Sequence, residues 1–331
     1  MPKTYDVYGI GNALVDIQYR VEAKFLEDAG VAKGLMTLID ENRQELLIGQ
    51  LQSQEADRSS GGSAANTMIC VANCGGRSFY ACKVGDDGDG EFYLTDLEAA
   101  GVTSNPSSRT PGITGKCLVM ITPDADRTMN TFLGITSTFG PEQIDLAGIG
   151  ESSYLYIEGY LVASDSGFEA AVTAQKSARE QGTKVSLTLS DASIVDAFKD
   201  RMESLVAGGV DLLFCNEDEA QMFTGAESTE EACEALSRRV EGFALTCGAE
   251  GAIIRHEGQT IQSPGFAVDA VDTNGAGDSF AGAYLFGLTN GFSSASAGKL
   301  ATYVSSRVVS RYGPRFGEKL TSDDIAKILE M

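Results

Sequence analysis

Short apolar runs alternate with amphipathic stretches along most of the chain. The runs are rich in β-branched residues, which is typical of strands buried on both faces of a sheet; they lie at 5–10, 154–157, 185–189, 212–215 and 243–247. Between them, residues 168–181, closed by Gly182, and residues 229–240 have helical periodicity. This alternation predicts an α/β fold with a parallel sheet, helices on both faces and ligands at the carboxyl ends of the strands.

Two stretches depart from that alternation, at about 14–40 and 108–136. Within the second, residues 114–122 and 127–132 alternate like the strands of a hairpin around a turn at Pro123-Asp124-Ala125-Asp126. They predict a second, strand-rich element. The sequence has no internal repeat, low-complexity tract or Pro-rich linker, so we expect a single domain over residues 1–331.

The clearest candidate chemistry lies where small residues lead into an apolar helix at 271–283. The unpaired amides and dipole of a helix N-terminus favour an anion, so a phosphate is expected against Gly275, Ala276 and Gly277. Asp278, in the first turn, is then a candidate general base that accepts a proton from an attacking hydroxyl. The alternative is that these residues only cap a core helix.

Composition excludes several classes of protein. A net charge of −22 over 331 residues argues against nucleic acid as a partner, because such binding requires a basic surface. Seven cysteines without a Cys-x-x-Cys pair suit a reducing compartment, and a single histidine excludes a multi-histidine metal site. No apolar run approaches the ~20 residues that span a bilayer. We therefore expect a cytoplasmic protein that has no membrane partner.

Residue by residue, the 271–283 segment resembles the second signature of the ribokinase-like (PfkB) carbohydrate and nucleoside kinases. Its sequence DTNGAGD is most similar to that of the adenosine kinase branch. The first signature is matched by SGGSAANT at 60–67 followed by VGDDGDG at 84–90. The segment 216–219 matches the family's Asn-x-x-Glu element, and residues 9–17 match its opening strand. The resemblance covers essentially the whole chain. It implies a three-layer α/β/α domain whose strand-rich stretches form a small lid over the substrate.

The resemblance assigns the acceptor side of the site to Asn12, Asp16, Gly61, Gly62, Ser63, Asn66, Tyr160 and Leu161. The Asp16 carboxylate, at a strand end, suits two sugar hydroxyls, and Asn66 is able both to donate to and to accept from one. Gly61 and Gly62 would let the backbone approach a sugar ring. The alternatives are a surface loop acid at Asp16 and an ordinary glycine turn before a helix.

The nucleotide side is assigned in the same way. Asn216 and Glu219 fit a water-mediated Mg²⁺ site near the phosphates, although an N-cap with a Glu at N3 explains the same spacing and both readings are compatible. Thr246, Gly248 and Gly251 match the family's ATP-binding turn. Arg127 is similar to a lid arginine that contacts the transferring phosphate, or is a plain surface arginine. Asp272 matches the position near a monovalent cation, K⁺, in many relatives.

These features predict an ATP-dependent kinase that phosphorylates a primary hydroxyl of a ribose-containing nucleoside, as a monomer or homodimer. A sugar kinase for ribose or fructose, and a nucleotide-binding protein without turnover, remain alternatives. The segment 156–161 departs from the adenosine kinase pattern, because Leu161 stands where animal adenosine kinases have a phenylalanine that stacks on the base, and Glu158 replaces a small residue. Tyr160 is a candidate substitute for that phenylalanine.

Overall fold

The computed structural model describes residues 3–105, 108–124 and 126–331, so Ala125 of the predicted turn and the first two residues of the expected domain lie outside the described residues. In chain order the strands of these ranges are β1 (Tyr5–Ile10), β2 (Leu14–Arg20), β3 (Met36–Leu38), β4 (Asp57–Gly61), β5 (Ser78–Ala81), β6 (Val84–Gly85), β7 (Thr103–Ser104), β8 (Arg109–Thr110), β9 (Gly115–Ile121), β10 (Arg127–Phe132), β11 (Ser152–Ile157), β12 (Lys184–Thr188), β13 (Leu212–Asn216), β14 (Phe243–Thr246), β15 (Gly251–His256) and β16 (Gln259–Pro264).

The α-helices of the same ranges are α1 (Ala23–Asp28), α2 (Glu41–Leu51), α3 (Ser63–Asn73), α4 (Gly88–Ala99), α5 (Leu146–Gly150), α6 (Asp165–Gln181), α7 (Ala192–Ala197), α8 (Lys199–Ala207), α9 (Glu217–Thr224), α10 (Thr229–Ser237), α11 (Ala276–Thr289), α12 (Ser294–Val309) and α13 (Ser322–Glu330). Short 3₁₀ turns occupy Gly134–Thr138, Pro141–Gln143, Gly159–Ala163 and Gly248–Glu250.

The main sheet has nine strands in the order β16-β15-β14-β13-β12-β11-β1-β5-β7. The strands from β14 to β7 are all parallel, and β15 and β16 extend one edge as an antiparallel pair. All five predicted apolar runs are strands of the parallel part, which confirms the α/β prediction. The chain order therefore places the carboxyl ends of β1, β11, β12, β13 and β14 along one edge of the sheet.

Helices cover both faces of this sheet. Apolar side chains of α3, α11, α12 and α13 form one core, to which β1 contributes Val7. Side chains of α5 to α10 form a second core on the opposite face, to which β1 contributes Tyr8 and Ile10. Successive residues of a strand point to opposite faces, so one apolar strand serves both cores. The result is a three-layer α/β/α arrangement.

A five-stranded sheet, in the order β3-β10-β9-β2-β4, stands beside the main domain. The predicted hairpin is present as β9 and β10, which pair antiparallel. β4, at residues 57–61, also belongs to this small sheet although it lies outside the two stretches singled out in the sequence. One face of the small sheet packs Ile17 and Leu118 into the same core as Leu47 of α2, and the other face carries Asp16.

Within the described ranges, no helix is both long enough and apolar enough to cross a bilayer. The seven cysteines are free thiols, five of them buried.

Candidate active site

At the N-terminus of α11, the backbone of Gly275 lies very close to the backbone of Pro314. Gly275 is its N-cap with φ +74°, and a Cβ there would lie 1.9 Å from the carbonyl oxygen of Pro314, so only glycine fits. A Cβ on Gly277, by contrast, would have no atom within 4 Å. The first-turn amides of this helix therefore border open space, where the helix dipole favours an anion. The small residues and first-turn amides at this helix N-terminus fit a phosphate group.

The Asp278 carboxylate is held by two donors from α3. Ser63 donates its hydroxyl to Oδ1 at 2.6 Å, and Asn66 donates its amide to Oδ2 at 3.0 Å. Burial raises the pKa of Asp278 to about 6, against the lowering effect of these two hydrogen bonds. The group is therefore ionised at neutral pH and able to accept a proton. Asn66 is 6% exposed, and its Oδ1 has no hydrogen-bond partner, which leaves a buried acceptor for a ligand's hydroxyl.

Asp16 lies within β2 of the small sheet, rather than at the end of a main-sheet strand as the sequence suggested. It is buried, and burial raises its pKa to about 7, with Arg315 and Arg127 lowering the pKa and Asp278 raising it. The two carboxylates, Asp16 and Asp278, therefore lie close enough to interact, and we call the side of the small sheet that carries Asp16 its cleft-facing side. A Cβ on Gly61 would lie 2.3 Å from the Asp16 carboxyl carbon, so this glycine is needed to make room for Asp16 itself.

Gly62 and Asn12 are tied to a buried glutamate that the motifs did not identify as functional. A Cβ on Gly62, whose φ is +101°, would lie 2.2 Å from the Asn12 carbonyl oxygen. Asn12 donates its backbone and side-chain N–H groups to Glu158 Oε1 at 3.2 and 3.0 Å. Ala64, in the first turn of α3, donates its amide to Glu158 Oε2 at 2.9 Å. Burial raises the pKa of Glu158 to about 7, against the lowering effect of these bonds. Glu158 thus joins the Asn12 loop to α3.

The 3₁₀ turn after β11 separates the two candidate base-contacting residues. Leu161 is 1% exposed and packs in the second core, so in this conformation it has no surface for a ligand. Its assignment to the substrate site stays a prediction; in this structure the turn directs the Leu161 side chain into the second core. Tyr160 is half-buried, and its pKa is raised by burial and further by the carboxylates of Asp191 and Asp278, which indicates that it lies near Asp278.

Arg127 begins β10 on the cleft-facing side of the small sheet and forms an ion pair with Asp272. Both side chains are largely buried, and Asp272 also accepts the amides of Asn274 at 3.0 Å and Gly313 at 2.8 Å. Arg127 Nη1 has no hydrogen-bond partner, so part of its guanidinium remains available. The carboxylate that the resemblance assigns to a monovalent cation is therefore engaged by a protein cation here.

Asn216 and Glu219 form a reciprocal cap at the start of α9. Glu219 donates its amide to Asn216 Oδ1 at 2.8 Å, and its carboxylate accepts the Asn216 backbone N–H at 3.1 Å and side-chain N–H at 2.8 Å. The capping alternative is thus present. Burial raises the pKa of Glu219 to about 7, and Asp191 and Asp278 raise it further. In the described residues no group of three or more histidine, cysteine, aspartate or glutamate side chains is arranged to hold a metal ion.

The proposed nucleotide turn joins β14 to β15. The Thr246 hydroxyl lies 3.5 Å from the carbonyl oxygen of Cys215. Gly248 and Gly251 have φ of +53° and +100°, and a Cβ on Gly251 would lie 2.1 Å from the Ser263 carbonyl oxygen. The turn itself requires both glycines, because each has a positive φ.

Comparisons with known proteins agree with this geometry. The family model described as pfkB family carbohydrate kinase matches residues 36–320. An adenosine kinase of Saccharomyces cerevisiae is 28% identical, over 94% of this chain and 97% of its own. A probable sugar kinase from Rhizobium etli has a TM-score of 0.90 at 33% identity, and an adenosine kinase from Sinorhizobium meliloti a TM-score of 0.88 at 35% identity, each aligned over 99% of both chains.

Proposed function

The chain belongs to the pfkB family of carbohydrate kinases, has the ribokinase-like fold and is an ATP-dependent kinase, and we propose that its acceptor is the primary hydroxyl of a ribose-containing nucleoside. The observation that carries the chemical part is the Asp278 carboxylate, held by Ser63 and Asn66 beside the open helix N-terminus. A base and an anion cradle are thus adjacent, which is the arrangement that phosphoryl transfer requires.

In the proposed reaction the acceptor oxygen attacks the γ-phosphorus, and the bond between that phosphorus and the β–γ bridging oxygen breaks, so that ADP leaves. The hydroxyl proton passes to the Asp278 carboxylate. Amides of Gly275, Ala276 and Gly277 stabilise the charge on the transferring group. Arg127 would contribute a further positive charge once its guanidinium turns from Asp272 to the phosphate.

Residues for the nucleotide and metal lie along the carboxyl ends of the sheet. We assign ATP to the turn with Thr246, Gly248 and Gly251 and to the amides at Gly275–Gly277. Mg²⁺, held through water by Glu219 and Asn216, would neutralise phosphate charge. Burial raises the pKa of the Glu219 carboxylate to about 7, and a nearby cation would favour its ionised form. We propose no K⁺ site at Asp272 while Arg127 holds it.

The nucleoside assignment rests on the cleft-facing side of the small sheet. Strand register aligns Asp16 with Cys117, Cys117 with Thr131 and Thr131 with Leu38, so these side chains share one face. At about 4.8 Å per strand, this row extends about 14 Å from Asp16. Leu38 is 59% exposed, and Met36, on the same face, is 41% exposed. An apolar platform beside a sugar-binding carboxylate suits a nucleoside, whose base would cover it; a free sugar would leave it bare.

A sugar acceptor is the second candidate. The burial of Leu161 removes the expected stacking position, and a relative with 33% identity is described as a probable sugar kinase. Both candidates use Asp16 and Asn66 for sugar hydroxyls and differ only in what covers the platform. A nucleotide-binding protein without turnover is disfavoured, because Asp278 keeps both of its hydrogen-bond donors.

The discriminating experiment compares kcat/KM for adenosine, inosine, guanosine, ribose and fructose in wild type and in Leu38→Ser. Covering about half of a leucine is worth roughly 1 kcal/mol, so we expect a nucleoside to lose about fivefold in kcat/KM. Ribose should be unaffected. The matched control is Leu35→Ser, an equally exposed leucine (58%) just before β3, whose side chain is expected on the opposite face of the sheet. If ribose or fructose exceeds every nucleoside in wild type, the sugar kinase alternative stands.

A further inference from the structure

The segment between α12 and α13 connects the base of the small sheet to the main domain through Arg315. Arg315 donates from Nη1 to Asp96 Oδ2 of α4 at 2.8 Å, and from Nη2 to the hydroxyl of Ser60 in β4. Ser60 is fully buried and gives its own amide and hydroxyl to the same Asp96 oxygen, at 2.8 and 2.7 Å. The guanidinium therefore closes a partly buried three-residue network, with side-chain exposure of 18% at Arg315 and 30% at Asp96, one residue before Gly61, the glycine that makes room for Asp16.

The same segment also contacts residues 272–277, which lead into α11 and which we call the phosphate loop. Gly313 donates its amide to Asp272 at 2.8 Å, and the Pro314 carbonyl packs directly on Gly275. A span of three residues thus contacts the anion cradle at one end and the acceptor-binding strands at the other. Covalent connection alone does not achieve this, because Arg315 and Ser60 are 255 residues apart in sequence.

We propose that Arg315 is a positioning residue that fixes the acceptor site, through Ser60 and Gly61, in register with the phosphate loop. This inference rests on the proposed kinase function and adds a residue outside both family signatures. Because the acceptor hydroxyl must reach both Asp278 and the γ-phosphate, a small displacement of β4 and the adjoining β2 would misplace it. Such misplacements are costly even when they are about 1 Å.

Arg315 also supplies charge to the acceptor site. Asp16 is faced by charged or titratable groups from five elements: Arg315, Arg127 of β10, Asp278 of α11, Cys117 of β9 and Tyr93 of α4. Of these, the two arginines favour the ionised carboxylate, and the carboxylate of Asp278 opposes it. Removal of the Arg315 charge should therefore raise the pKa of Asp16 and weaken acceptor binding at neutral pH, because the carboxylate is the better acceptor for two hydroxyls.

Two substitutions separate the geometric contribution from the charge. Arg315→Lys keeps the charge but loses the planar two-point contact with Asp96 and Ser60. Arg315→Gln loses the charge. For the acceptor that wild type uses best, we expect both variants to lower kcat/KM at least about fivefold, with the ATP dissociation constant unchanged within about twofold. Acceptor affinity, measured by calorimetry without ATP over pH 5–9, should have its acidic limb shifted up by about one pH unit only in Arg315→Gln.

The matched control is Arg311→Gln, in the same segment, whose guanidinium pairs with the half-exposed Glu318 instead. It should behave as wild type. The inference is overturned if both Arg315 variants match this control in kcat, KM and acceptor affinity, including the case in which only their melting temperatures fall. If wild type transfers phosphate to no acceptor, the proposed function fails instead, and that result is distinct.

Discussion

Replacement of Asp278 by asparagine tests the chemical step most directly, because the substitution changes charge and leaves shape nearly intact. Asp278 Oδ1 accepts from a hydroxyl and Oδ2 from an amide. In Asp278→Asn the introduced carbonyl oxygen can keep the Asn66 bond, and the Ser63 hydroxyl can rotate to accept from the introduced NH₂. No buried group needs to lose its partner. Weaker, neutral hydrogen bonds should cost about 1–2 kcal/mol of unfolding free energy, and removal of a buried charge whose pKa is raised to about 6 should offset that cost, so we expect no large loss of stability.

The effect on turnover should be much larger. The introduced amide cannot accept the acceptor's proton, and loss of a general base costs about 10²- to 10⁴-fold, or about 2.7–5.4 kcal/mol in activation free energy. The loss should appear in kcat and in kcat/KM together, since the interaction exists in the transition state. ATP affinity should remain within a few fold, because the amides that hold phosphate are backbone groups.

The pH dependence of turnover should also report the ionisation of Asp278. Burial raises the pKa of Asp278 to about 6, so the base is lost as pH falls through 6. Wild-type turnover should therefore fall about tenfold per unit below that pH, and the residual activity of Asp278→Asn should lack this limb.

The assay is single-turnover transfer from radiolabelled ATP, accompanied by a thermal melt. Asp323→Asn, in the first turn of α13, is the control, because it removes a similarly placed but exposed carboxylate. Turnover of Asp278→Asn within about threefold of wild type would refute the role of Asp278 as the base.

Four further predictions rest on the same geometry. Gly277→Val should fold normally, because its Cβ has open space, yet bind ATP at least about tenfold more weakly in titration calorimetry; unchanged affinity would place the phosphates elsewhere. Gly275→Ala should instead lower the melting temperature, because its Cβ meets backbone. Glu158→Ala should cost about 2–4 kcal/mol in urea unfolding by leaving buried amides unpaired. Because burial raises the pKa values of Asp16, Glu158 and Glu219 to about 7, the unliganded protein binds more protons folded than unfolded between about pH 4 and 7; these groups should make it more stable at pH 5.5 than at 7.5, and an opposite trend in thermal melts would contradict their burial.

The parts of the fold that the sequence predicted are those whose local pattern has a single explanation. A strand buried on both faces must be a continuous apolar run, and the five runs are the strands expected from them. β4 could not be recognised in this way, because Asp57-Arg58-Ser59-Ser60-Gly61 has no apolar residue. It is an edge strand, held by pairing with β2 and by the half-buried carboxylate of Asp96, and neither partner can be recognised from the local sequence.

The same distinction holds within the site. Ser63, Asn66 and Asp278 were identified by two motifs, and the structure brings these motifs together, although 212 residues separate Asn66 from Asp278. Glu158 and Arg315 belong to neither motif. Their sequence signal was weak, since a charged residue inside or beside an apolar segment is common on surfaces. What makes each one informative is burial together with partners from distant elements, which only the folded chain provides.

For Arg127 the sequence predicted a contact with the phosphate but not the partner that the side chain has in this structure. The motif match predicted an arginine directed at the transferring phosphate, and the side chain does lie on the cleft-facing side of the small sheet, but its charge is neutralised by Asp272. A buried arginine without a partner would be costly, so a carboxylate must replace the phosphate when none is bound. If Arg127 turns to the phosphate as we propose, binding of ATP would exchange one anion for another. The free energy of that exchange, rather than that of a new ion pair, would then contribute to ATP affinity.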